Sequence, residues 1–257
     1  MLIAVVSGGL LGITLGTVGG GGAVLAVPAL VYLLGQSVHA ATTGSLIIVV
    51  AAAGVAAVGH ARRGAVCWKL AGTFAVSAVP GSIVGTIGNR AVAGERLLGA
   101  FAVLLVAVAV LTWRRGGAAV ADIAEKCPQM RLGFVALAGL GVGVLTGLFG
   151  VGGGFAVVPA LAFGLRVPFR RAIATSLVIV TVVSAVGLVE HLVAGANVAW
   201  ATALPFAAAA MVTASFGGRL AAHLRRRTLA RGFAVLLTGV AVYLLVSVIA
   251  LGGPPHG

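Results

Sequence analysis

Of the 257 residues, 61% are apolar and 8% charged, and 17 Lys and Arg stand against 4 Asp and Glu. A soluble domain carries about 25% charged residues, so this chain cannot dress a water-facing surface; a soluble enzyme, a disordered segment and a secreted disulfide scaffold are excluded. A polytopic membrane protein remains, long enough for roughly eight to ten spanning or half-spanning segments at about 20 residues each.

Hydropathy divides the first part of the chain into apolar segments at 2–18, 22–34, 39–60, 66–89 and 96–113. After the most polar stretch they resume at 132–149, 154–165, 171–192, 198–217 and 228–251. The two series match because the chain repeats itself. GTVGGGGAVLAVPAL from Gly16 returns as GLFGVGGGFAVVPAL from Gly147, an offset of 131 that also sets Ser45 on Ser176, His60 on His191 and Gly64 on Gly195. With one inserted residue, Trp68 falls on Trp200 and Gly85 on Gly217, and FAVLLVAVAV from Phe101 on FAVLLTGVAV from Phe233. Residues 1–115 form one transmembrane repeat, 116–130 a polar linker and 131–257 the second repeat.

The basic residues cluster in short connections: Arg62-Arg63, Arg114-Arg115, Arg170-Arg171 and Arg225-Arg226-Arg227. That distribution marks cytoplasmic loops and not a nucleic-acid surface. Equivalent connections carry opposite bias: 35–39 has no Lys or Arg while 166–171 has three, and 60–69 has three while 191–197 has none. Equivalent loops then lie on opposite sides of the membrane, so the repeats are inverted and each reverses direction an odd number of times. The expected fold is all-α and polytopic, each repeat a glycine-broken re-entrant hairpin followed by three transmembrane helices, with both termini outside. The alternative is eight full helices, four per half. The first 18 residues have no basic start and make a poor cleaved signal. Cys67 and Cys127 lack metal or redox spacing and are read as inert.

Gly19, Gly20, Gly21 and Gly22, and then Gly150, Gly152, Gly153 and Gly154, fall where each hairpin turns. Glycine in a helix interior costs about 1 kcal/mol against alanine, so such a cluster breaks the helix and lets another group approach bare backbone. Pro28 and Pro159 follow at equivalent places and support the break. In inverted repeats the two short segments start near the membrane centre, where their free N–H groups attract an anion. Close helix packing is the competing use of such glycines. Thr42, Thr43 and Ser45, then Thr175 and Ser176, supply hydroxyls beside each cluster; N-capping and interhelical bonding are their ordinary uses. Neither cluster completes a phosphate-binding P-loop or GxGxxG.

GVGGGFAVVPAL with AIATSL in the second half, and GGGGAVLAVPAL with AATTGSL in the first, resemble the duplicated motif of the TauE/SafE sulfite exporter-like membrane proteins. The resemblance covers nearly the whole chain and implies transport of small sulfur-containing anions such as sulfite or organosulfonates.

Among ionisable residues within apolar segments, His60, His191 and Glu190 are candidates for proton coupling. Both histidines fall near predicted helix ends, where water can reach them. Glu190 faces Gly59 in the repeat alignment and is read as interfacial too, and Arg166, Arg170 and Arg171 suit an electropositive vestibule. The expected function is a secondary transporter exporting a small anion by alternating access, in a bacterial inner membrane. A passive anion channel and a non-transporting scaffold or sensor are the alternatives. An intramembrane enzyme lacks HExxH, GxSxG or any comparable constellation. No cofactor, metal or nucleic acid is expected; the partners are the anion and the bilayer, and a homo-oligomer is left open.

Overall fold

The computed structural model describes residues 2–92, 94–115, 127, 132–149, 154–193, 195–196, 198–223 and 226–250, and all their regular structure is helical. In the first repeat, α1 (Leu2–Val18) leads into a return segment made of a 3-10 turn (Gly19–Leu25), the short α2 (Ala26–Pro28) and a π-helical turn (Ala29–Leu33). Then come α3 (Val38–Arg62), α4 (Trp68–Ala91) and α5 (Gly94–Arg115). The second repeat has α6 (Leu132–Phe149), α7 (Gly154–Pro159) with its own π-helical turn (Ala160–Gly164), α8 (Phe169–Val193), α9 (Trp200–His223) and α10 (Arg226–Ala250). Seven stretches of the described residues are long and apolar enough to cross a membrane. Their outward faces are apolar too: α4 buries Phe74, Ala78 and Ser82 while exposing Val76, Ile83, Val84 and Ile87. Helices apolar on both faces are at home in lipid.

The repeat reaches down to single hydrogen bonds. Gln36 N–H donates to Leu30 O as Val167 does to Leu161, and Ala65 to His60 O as Ala196 does to His191. The latter pair closes a helix end whose left-handed residue is Gly64 (φ 66°) in one half and Gly195 (φ 77°) in the other. At the connection before α3 the left-handed residue is Gly35 (φ 64°), but its counterpart before α8 is Arg166 (φ 49°). A non-glycine residue there costs about 1–3 kcal/mol. Arg166→Gly is therefore expected to raise the melting temperature of the solubilised protein; an unchanged or lower value would show that the arginine's own contacts offset the strain.

Past Gly19 the chain turns back along α1. Gly22 abuts the Leu15 backbone so closely that a β-carbon would overlap it. Further along, Ser7, Leu10 and Leu11 of α1 share one apolar cleft with Leu25, Pro28, Ala29, Tyr32 and Leu33 of the return segment.

The repeats then interlock. α1 runs beside α9 in the same direction: Gly8 lies on Phe206, Gly12 on Ala210 and Thr213, Gly16 on Ala214 and Gly217. α6 lies on α4 in the same way, with Gly139 on Phe74 and Ser77, Gly143 on Ala78 and Gly147 on Ser82. Glycine on these faces lets backbones meet without intervening side chains. α3 and α8, which are equivalent, run in opposite directions: Thr43 meets His191, Leu46 meets Gly187 and Gly54 meets Thr181. α5 packs against α10.

Cys67 and Cys127 are joined in a disulfide with Cα atoms 5.8 Å apart, which corrects their reading as inert residues. With the two cysteines 60 positions apart in sequence, no local spacing signals the bond. It ties a point in the linker to the start of α4, beside Arg171, whose Nη1 lies 3.5 Å from the Cys127 sulfur.

Candidate functional site

At the end of α1 the chain turns through Gly19 in the left-handed region (φ 78°), and Gly19, Gly20, Gly21 and Gly22 are all buried. Gly20, Gly21 and Gly22 each meet a neighbour that leaves no room for a β-carbon, and one at Gly19 would be tight against Ile173 and Ser176 at 3.0 Å. One at Gly20 would stand 2.8 Å from the Gly154 Cα and 2.7 Å from Val180 Cγ2, and one at Gly154 would fall on the Gly20 carbonyl. A β-carbon at Gly21 would enter the Phe233 ring. Gly20 and Gly154 thus touch backbone to backbone beside Val180, midway along α8. Gly150, Gly152 and Gly153 lie outside the described residues.

The Gly20 N–H donates to Ser176 Oγ at 3.4 Å, and that hydroxyl donates onward to Ile173 O at 2.8 Å. Ser176 is therefore brought to the first cluster by the opposite repeat. Thr175, one residue earlier, points elsewhere: its hydroxyl accepts from the Cys67 N–H at 3.1 Å and serves the start of α4. Thr42, Thr43 and Ser45 are all buried. Ser45 donates to Thr42 O at 2.7 Å, while Thr43 Oγ1 lies 3.4 Å from both His39 O and His191 Nδ1. Pro28 and Pro159 each stand immediately before a π-helical turn, so helical pairing loosens where proline lacks an N–H.

The ionisable candidates differ from expectation. His191 is 5% exposed, because α3 covers it, and does not sit in water at a helix end. His60 is half-buried and lines a cavity of about 130 Å³ with Arg63, Arg170, Ile173 and Gly218. Arg63 Nη1 donates to Gly218 O at 3.1 Å, clamping α3 to α9. Ile173 also lines the cavity, and its Cγ2 stands 3.0 Å from where a Gly19 β-carbon would lie. A basic pocket thus ends one side chain away from the glycine junction. Of the proposed vestibule arginines, Arg170 lines this cavity and exposed Arg166 does not.

Glu190 is half-buried and accepts from Ser82 Oγ (3.1 Å to Oε1) and Thr86 Oγ1 (3.1 Å to Oε2). Neither hydroxyl stands out in the sequence. The only local signal is their four-residue spacing, which puts both on one face of α4. Asn89, one turn further, donates to Leu148 O at 2.7 Å and holds α4 to α6.

Residues 4–244 match the family described as "Sulfite exporter TauE/SafE". Two proteins of Xylella fastidiosa strains, each named "Probable membrane transporter protein", are 34% identical over 251 and 255 residues, covering 95% of this chain and of theirs. "Probable membrane transporter protein YunE" of Bacillus subtilis is 28% identical over 244 residues, 84% of this chain and 87% of its own. No solved structure matches. With the family matched across nearly its whole length, and seven apolar helices to cross a bilayer, the chain belongs to the TauE/SafE family of membrane transporters.

Proposed function

We propose that the chain is a secondary transporter that exports a small sulfur oxyanion, sulfite or an organosulfonate, by alternating access between two inverted repeats. The observation that carries this reading is the junction where Gly20 and Gly154 meet beside Val180, with Ser176 hydrogen-bonded to the Gly20 N–H. Backbone there is bare of side chains, so an anion replacing the contact would find N–H groups and hydroxyls. Gly19–Gly22, Thr42, Thr43 and Ser45 contribute from one repeat; Gly150, Gly152, Gly153, Gly154 and Ser176 contribute from the other, while Thr175 serves the start of α4. The Arg63–Arg170 cavity gathers the anion from one side, and Ile173 separates it from the junction. The family's own description supports the choice of sulfite.

The antiparallel crossing of α3 and α8 supports inversion, since equivalent helices pointing opposite ways are related by an axis in the membrane plane. The fold-back at Gly22 supports a re-entrant hairpin. Arg63, Arg170 and Arg171 gather at one end, which the positive-inside rule places in the cytoplasm. In a cysteine-free background, Gln36→Cys should react with an impermeant maleimide from outside and Arg166→Cys, in the equivalent connection of the second repeat, only after the cells are opened. Reaction of both from one side would rule out the inversion.

The functional test is flux into liposomes holding purified protein, across sulfite, sulfate, thiosulfate, sulfoacetate and halides. Saturable uptake of sulfite or sulfoacetate, accelerated by the same anion on the far side, is expected of a carrier. Flux that never saturates would identify a channel, and no flux of any panel anion would end the reading.

A further inference from the structure

We propose that Glu190 of α8, held by the Ser82 and Thr86 hydroxyls of α4, is the proton-binding site through which this transporter is driven. The proposal rests on the carrier reading above and adds the coupling ion and its residues. Glu190 stands three residues before the end of α8, within a span of mean hydropathy 2.4, and Ser82 and Thr86 are buried in the facing helix. A carboxyl group in such a span is costly and is kept where it moves charge or binds an ion. Its partners among the described residues are hydroxyls, not cations.

The hydrogen bonding suits both protonation states. The Ser82 hydroxyl has one proton and two acceptors in reach, Glu190 Oε1 at 3.1 Å and Val79 O at 2.9 Å. With the carboxylate ionised, that proton points to Glu190. With Glu190 protonated, it turns to Val79 O and the hydroxyl oxygen accepts from the acid. No polar group is stranded either way, so a proton can bind and leave without breaking the packing. A metal or alkali cation needs a fuller shell of oxygens than one carboxylate and two hydroxyls provide. Because α4 belongs to one repeat and α8 to the other, the reversal of hydrogen-bond direction acts across the contact between them.

Broken symmetry gives a second, independent observation. The repeat places Gly59, Ala214 and Gly218 where Glu190, Ser82 and Thr86 stand. At that mirror position the Gly218 carbonyl accepts from Arg63, and the pocket is lined by His60 and Arg170. Small residues therefore satisfy the packing at this crossing, and the carboxyl cluster at the other end is not needed for it. One end is dressed for a proton and the other for an anion. The ionisable neighbours on the surrounding helices are few. His191 follows on α8, His39 lies one turn before Thr43 on α3, Arg90 stands at the end of α4, and α6 has none.

The test uses purified full-length protein. Infrared difference spectra between high and low pH should show, beside the bands of Glu95, Asp122, Glu125 and the C-terminus, a protonated-carboxyl component that Glu190→Gln removes. Thr86→Val, which takes one hydrogen-bond donor from the carboxyl group, should shift the frequency of that component. In liposomes, an outside-acid gradient should drive uphill sulfoacetate movement. Glu190→Gln should lower the ratio of gradient-driven movement to equal-concentration exchange at least tenfold. A difference spectrum unchanged by Glu190→Gln, a gradient drive that survives it, or drive by sodium in place of protons overturns the proposal. An unshifted component in Thr86→Val, the milder variant, overturns the part given to the hydroxyls. Absence of any anion flux together with the expected infrared result would instead remove the carrier reading and leave the proton site standing.

Discussion

Gly154→Ala is expected to abolish anion flux, although the change adds a single methyl group. That methyl would fall on the Gly20 carbonyl, and backbone on both sides leaves nothing flexible to move aside. Overpacking a tight interior costs about 1–3 kcal/mol, and a clash between two backbones belongs at the upper end. Gly20→Ala should behave alike, meeting the Gly154 Cα at 2.8 Å. Gly187→Ala is the control on the neighbouring helix, because its β-carbon would find Leu46 at an ordinary 3.7 Å. Flux in liposomes and melting temperature in detergent separate the two losses. If Gly154→Ala melts normally and still transports at the wild-type rate, the backbone junction is not where the anion passes.

Gly143→Leu should prevent accumulation of folded protein, whereas Gly141→Leu, two residues earlier on the same helix, should be harmless. Gly143 lies against the Ala78 carbonyl of α4, and a side chain there would wedge the two helices apart. Gly141 has open space within 4 Å of where its β-carbon would stand. Both changes raise hydrophobicity and helix propensity equally, so only the notch distinguishes them. Monodisperse protein recovered after detergent extraction is the measurement. Equal recovery of the two variants would mean that α4 and α6 do not interlock as described.

Much of the fold is legible because lipid makes hydropathy decisive. The apolar run 39–60 became Val38–Arg62 and 171–192 became Phe169–Val193, errors of a turn at most. The matched glycines were legible as well: Gly64 and Gly195 recur because each ends a helix in the left-handed region. What hydropathy does not encode is which helix faces which. The pairing of α1 with α9, the burial of His191 under Thr43 and the Cys67–Cys127 bond all join residues far apart in the chain. Rotation about a helix axis is equally hidden, so Thr175 and Ser176 looked alike although one serves Cys67 and the other Gly20. The Glu190 cluster escaped for both reasons, since Ser82 and Thr86 become partners only when α4 meets a helix of the other repeat.

The exchange of partners between repeats also orders the protein's synthesis. α1 is made first, yet the helix that fills its glycine face, α9, follows roughly 180 residues later. At about 5–20 residues per second, that interval is on the order of 10–40 s. α4 waits only for α6, the next helix but one. Throughout that interval Gly8, Gly12 and Gly16 lack the surface they are cut to fit. A nascent chain stopped after α8 would therefore be damaged first at its beginning: losing the last two helices unseats the first.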